Sequence, residues 1–192
     1  KLGPLLWQFP QRMRLDARVA ARFEAFFALL PRDTHAAALL AQQHGPQVAG
    51  RTALVPGRKH RLRHAVEVRH ESFCCDSFVQ LLREHDMALV ASDAREWRYV
   101  EELTADFVYV RLHGSERTYS SRYTDDQLDR LAASIARWTA GGALPTASGG
   151  TSASAPEPAR DVHVYFDNDA KVHAPRDALR LQERLSGRVS PD

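Results

Sequence analysis

Two ion-forming pairs stand two residues apart in β-branched segments: Glu67 and Arg69 within 64–70 (HAVEVRH), and Arg111 and His113 within 106–113 (DFVYVRLH). A third segment, 161–168 (DVHVYFDN), ends on Asp167 and Asn168. Residues two apart on a strand share a face, so each pair points one way. Such a set can do definite chemistry. A histidine or a carboxylate moves a proton, histidine best near neutral pH. Arginine holds a carboxylate or phosphate through paired hydrogen bonds. Tyrosine stacks on, or hydrogen-bonds, a sugar or a base. Glu67, His113 and Asp167 are therefore the candidate catalytic residues, with Asp167 and Asn168 also placed to orient a hydroxyl. Arg69, Tyr109, Arg111, Tyr119, Tyr123 and Asn168 are the candidate binding residues. Together they suit hydrolysis or isomerisation of a small anionic molecule of sugar or nucleotide type.

Strands must position these groups. Strand-like segments are read at 2–9, 64–70, 87–93, 106–113 and 161–168. Helical spacing is read at 17–30, where Val19, Phe23, Phe26, Phe27 and Leu30 share a face, and at 76–85, 124–140 and 175–185. A further short helix is expected near 34–44. Thr124 and Gln127 have capping-box spacing, and Pro175 suits a first helical position. Segment 141–159 (GGALPTASGGTSASAPEPA) is too poor in apolar side chains to offset its ordering entropy, and is expected to be a disordered surface insertion.

Strand alternating with helix argues for parallel βαβ units, in an open sheet or part of a barrel. Strand parity favours the barrel. Val66 and Val68 oppose Ala65, Glu67 and Arg69; Val108, Val110 and Leu112 oppose Phe107, Tyr109, Arg111 and His113. Val162, Val164 and Phe166 likewise oppose His163, Tyr165 and Asp167, and Leu5, Trp7 and Phe9 oppose Leu6 and Gln8. One face is apolar, while the other turns polar toward the C-terminal ends. A sheet covered by helices on both sides would be apolar on both. A barrel instead opens its lumen into a site at the C-terminal mouth, with Asp93 a further group that could join it.

Composition narrows the function. The 192 residues suit one domain. With 26 basic and 24 acidic residues the net charge is +2, too balanced for a general nucleic-acid binder. The local basic run Arg58, Lys59, His60, Arg61, Arg63 and His64 is expected to be a solvated loop. No run of apolar residues is long enough for a membrane span, and with no charged stretch followed by an apolar one at the start, no secretory signal is expected. The two cysteines, Cys74 and Cys75, are neighbours, which rarely pair and suit a reducing cytoplasm. No GxGxxG, P-loop, GxSxG or CxxC pattern is present, and nothing identifies a cofactor. Glu67, His113, His163, Asp93 and Asp167 are metal-ligand types. They lack HxH or HExxH spacing, however, and two arginines beside them would repel a cation, so no metal site is assigned.

Four motifs, in order, carry a family resemblance. YVRLHG at 109–114 with Tyr119 and Tyr123 resembles the seventh-strand region of the YecE-like family, domain of unknown function seventy-two. VEVRHESF at 66–73, VYFDND at 164–169 and LGPLLWQFP at 2–10 resemble its fifth, eighth and fourth strands. The resemblance implies an α/β, TIM-type (β/α) barrel, incomplete here at five of eight βα units. It implies three further units upstream, roughly ninety residues, and hence a chain that folds poorly alone, with residues 1–192 the C-terminal part of one domain. Phe73 stands where the family has Trp, Val68 where it has Phe, and Asp167 and Asp177 where it commonly has Asn. His163 stands where an aromatic or apolar residue is common. The resemblance names no activity. The alternative to an enzyme is a non-catalytic barrel that binds nucleic acid, through the basic run and the mouth arginines and tyrosines, or another protein.

Overall fold

The computed structural model describes residues 2–51, 55, 57–93, 102–114, 121–141 and 159–187. Tyr119 and nearly all of the expected insertion lie outside the described residues. In chain order the elements are β1 (Leu5–Gln8), α1 (Ala17–Leu29), α2 (Thr34–Ala41), β2 (His64–Glu67), α3 (Asp76–Glu84) and β3 (Met87–Asp93). Then come β4 (Phe107–Leu112), α4 (Asp125–Thr139), β5 (Asp161–Phe166) and α5 (His173–Ser186).

Local chemistry sets the helix starts. The Asp16 carboxylate accepts from Val19 N at 2.7 Å to cap α1. Asp33 accepts from His35 N and Ala36 N, both at 2.9 Å, to cap α2. Thr124 and Gln127 form the expected capping box on α4, with Thr124 N donating to the Gln127 side chain at 2.8 Å. The start of α5 differs from expectation. Pro175 is its third residue, not its first, because the helix begins at His173 after Val172 turns left-handed at φ 59°. First-turn N–H groups have no intrahelical partner, so the proline forfeits no hydrogen bond there either. Leu30 leaves α1 in extended backbone, yet is still buried.

The strands form one parallel sheet in the order β1-β2-β3-β4-β5. β2 stops short of the expected 70. Its register with β1 closes at Gln8↔Glu67, with Phe9 N donating to Glu67 O at 2.9 Å just beyond it.

The sheet is curled. In a flat sheet β1 and β5 would stand about 19 Å apart, four spacings of ~4.8 Å. Yet the Tyr165 hydroxyl on β5 lies 3.7 Å from where a Cβ at Gly3, beside β1, would stand. A tyrosine cannot span that gap on a flat sheet, so the five strands make a half-barrel with Tyr165 inside it.

Both faces follow the parity of the sequence. Outside, Trp7, Phe9, Val66, Met87 and Leu89 pack with Phe23, Phe27, Phe78 and Leu82 of α1 and α3. Val108, Val110, Leu112, Val162, Val164 and Phe166 pack with Leu128, Ile135, Trp138 and Leu181 of α4 and α5. Inside, Leu6, Ala65, Ala88, Val90, Phe107 and Tyr109 close the lumen floor.

At the N-terminal rim the basic run divides. Arg58, Lys59 and His60 are exposed as expected. Arg61 is paired with Asp86 and Asp106, and Arg63 with Asp161 at 2.7 Å. Cys74 and Cys75 form no disulfide, and Cys75 is the N-cap of α3. No described helix is long and apolar enough to cross a membrane.

Candidate functional site

The C-terminal end of β2 carries Glu67, whose side chain is wholly buried. Its Oε1 accepts from Arg69 Nε and Nη2, both at 3.1 Å. Its Oε2 accepts from Arg111 Nη1. Arg111, on β4, also donates to Gln8 Oε1 on β1 at 2.6 Å and to Asp167 just past β5. His113 follows β4 and is wholly buried. Its Nε2 lies 3.3 Å from Glu67 Oε1 and its Nδ1 3.2 Å from Asp167 Oδ2.

The electrostatics follow from that geometry. Burial pushes the Glu67 carboxyl up, but hydrogen bonds from His113 and Arg111, and the charges of Arg111 and Arg69, outweigh it. The carboxyl settles at about 2. Burial works against the Arg111 guanidinium, yet Glu67 and Asp167 more than compensate and hold it more basic than usual. A buried charge persists only when paired and hydrogen-bonded, and each of these is.

A second network fixes the His113 backbone. His113 N donates to Asp93 Oδ1 at 3.0 Å and to Asp93 O at 3.2 Å. Gly114 N donates to the Tyr123 hydroxyl at 2.8 Å, and that hydroxyl donates to Asp93 Oδ1 at 2.7 Å. Gly114 makes the turn at φ 100°, where a side chain would be strained. Burial raises the Asp93 carboxyl to about 6 against these hydrogen bonds. Burial also raises the Tyr123 hydroxyl, with the neighbouring Asp93 adding to the shift.

Behind it lies a third network. Asp177 of α5 is wholly buried and accepts from Tyr123 N at 3.1 Å, Asn168 Nδ2 at 2.9 Å and Arg180 Nη1 at 2.7 Å. Asn168 Nδ2 also donates to Ser121 O at 2.9 Å.

Of the candidate residues, Glu67, Arg69, Arg111, His113 and Asp167 meet in one cluster. Tyr109 lies on the same face, stacked on Tyr165. Tyr123 and Asn168 stand behind the cluster, the Tyr123 hydroxyl between Gly114 N and Asp93 and the Asn168 amide on Ser121 O and Asp177. Asp93 is engaged with the His113 main chain. His163 packs edge-on against Phe107 at 6.0 Å, and burial, with Arg63 nearby, lowers its basicity. Three polar residues on the lumen face are not among the sequence candidates: Gln8, Ser92 and Tyr165. Each carries a signal, being a polar residue on the lumen parity of its strand. Among the described residues no group of three His, Cys, Asp or Glu side chains is arranged to hold a metal ion.

Comparison with known proteins bears on the fold. The model of the family described as "Protein of unknown function DUF72" matches residues 1–191. A crystal structure of a DUF72 family protein from Enterococcus faecalis V583 is similar, with TM-score 0.61 at 16% identity, covering 98% of this chain and 60% of that one. One from Thermotoga maritima MSB8 is similar with TM-score 0.63 at 18% identity, covering 94% of this chain and 56% of that one. The chain thus spans about three-fifths of the length of these solved proteins. No match to a curated protein was found.

Proposed function

The chain belongs to the DUF72 family of proteins of unknown function, and from that premise we propose that its mouth cluster acts on a small anionic, sugar- or nucleotide-like molecule. The chain is then the C-terminal part of a TIM-type (β/α) barrel, five of its eight units. The sequential parallel order, the curl and the ionisable groups at the strand ends support that reading.

The observation that carries it is His113, buried with each ring nitrogen against a carboxylate from a different strand end. Each ring nitrogen can bind or release a proton, so the ring can take one up on one side and pass it on at the other. That arrangement suits a proton shuttle. Glu67, at about 2, is too weak a base to take the proton near neutrality. Its role is to hold the ring and the two guanidinium groups. Asp167, with its side chain 35% exposed, is where the network meets solvent and a substrate hydroxyl. Arg111 has N–H donors beyond those given to Gln8, Glu67 and Asp167, and these take the anionic group. Proton transfer beside an anchored anion serves hydrolysis or isomerisation.

A thermal-shift panel on the intact protein tests this, with phosphorylated sugars, nucleotides, oligonucleotides and divalent metals. A ligand at a hundred times its Kd stabilises by about 2.7 kcal/mol. Sugar phosphates or nucleotides are expected to raise the melting temperature. A shift with oligonucleotides alone, collapsing steeply with salt, would replace this reading with nucleic-acid binding, and no shift from any anion would overturn it.

A further inference from the structure

Tyr165 on β5 is register partner to Arg111 on β4, so its side chain rises from the lumen face beside that guanidinium. Its ring lies on Tyr109 with centroids 4.8 Å apart and planes at 19°. Tyr109 is buried, whereas Tyr165 is 42% exposed. One face of Tyr165 is covered by Tyr109, and the ring stands on the concave face of the sheet among the described residues. The stack holds the ring, so little rotamer freedom is lost when something lands on it. Gly3, opposite, presents no side chain to crowd the Tyr165 hydroxyl.

The neighbouring polar groups select among rings. Glu67 is fully engaged by Arg69, Arg111 and His113, which leaves Asp167 as the carboxylate near solvent. A bare sugar has several hydroxyls and would find few acceptors. A planar base needs mainly a flat π-face, and a base on Tyr165 extends the column that Tyr109 begins.

We propose that Tyr165 is the ring platform of the mouth and that the ligand is a nucleoside monophosphate, its base on Tyr165 and its phosphate at Arg111. This rests on the anion-binding reading above and adds the base to it. Tyr165 is thereby a specificity-determining residue, and Tyr109 positions it.

Calorimetric titration of the intact protein with inorganic phosphate, ribose 5-phosphate and adenosine monophosphate tests the proposal. Base stacking is expected to make the nucleotide bind about tenfold tighter than ribose 5-phosphate. Tyr165→Ala is expected to erase that advantage and leave ribose 5-phosphate affinity unchanged, while Tyr165→Phe keeps it. Equal affinity of the wild-type protein for the two phosphates overturns the platform alone, and so does a Tyr165→Ala protein that still prefers the nucleotide. The wild-type comparison decides even where Tyr165→Ala does not fold. Failure of all three probes to bind overturns the anion reading, and the platform with it.

Discussion

The Arg111 guanidinium on β4 donates to Gln8 Oε1 on β1 at 2.6 Å, although β2 and β3 lie between the two strands. The same group bonds Glu67 at the end of β2 and Asp167 past β5. One side chain thus ties four strand ends across the concave face. Arg111→Ala would leave the buried Glu67 carboxylate short of a partner. The expected loss is about 3 kcal/mol or more. Adding Glu67→Gln should restore part of it, since the orphaned charge is then gone. A denaturant double-mutant cycle measures this. Additivity of the two substitutions would refute the coupling.

His64 sets an acid limit on stability. The Trp7 indole N–H donates to its Nδ1 at 3.1 Å, so that nitrogen carries a lone pair. Its Nε2 therefore carries the proton, 2.8 Å from Pro31 O. Burial holds its folded-state pKa below the usual histidine value. As pH falls, the unfolded chain takes up that proton first, so this stability is whole above about 6.5 and drains away below it. Glu67 adds a second, separate window. Its folded value of about 2 lies below its ordinary one, so its contribution is lost from the usual carboxylate range down toward 2. Between pH 8 and 5 the urea midpoint of the parent should fall relative to that of His64→Gln. Equal slopes would exclude His64 as the cause.

Asp93 works with the opposite sign. Its carboxyl is raised to about 6, so the unfolded chain ionises first as pH rises. The folded state loses stability from the usual carboxylate range up to 6, and bears the whole cost above that. Asp93→Asn keeps an oxygen to accept from His113 N and Tyr123 without the charge. The variant is expected to melt higher than its parent above pH 6 and level with it below pH 4. A variant that melts lower at pH 7 would show that His113 N and Tyr123 need the full carboxylate.

Asp177→Ala is expected to be among the more damaging single changes. It would strand Tyr123 N and Asn168 Nδ2 without an acceptor and leave Arg180 half-paired. Buried groups left this way cost about 1–3 kcal/mol each, so thermal denaturation should show a loss of about 3 kcal/mol or more. A loss under 1 kcal/mol would mean that water reaches these donors.

Much of this was legible in the residues because period-two alternation is a local signal. Val108 against Tyr109, or Val66 against Glu67, declares which face each strand buries, and the sheet obeys it. The meeting of Glu67 with Arg111 and His113 followed from strand order plus parity. The roles of Tyr123 and Asn168 were not legible in the same way. Both follow strand ends, where parity no longer applies and the side chain goes wherever a backbone N–H or a buried carboxylate needs it. Asp177 is a helix residue whose burial depends on Tyr123 and Asn168 standing against it, and nothing within its own helix signals that. Gln8 is one polar residue on a short apolar strand, and nothing local to it shows that the curl brings Arg111 within reach.

The lumen floor has one more consequence. Leu6, Ala65, Ala88, Val90, Phe107 and Tyr109 close the half-barrel beneath the ion cluster. On this stretch of wall the base is apolar. The charges of Glu67 and Arg111 above it therefore meet water from the mouth side of these strands rather than through their apolar base.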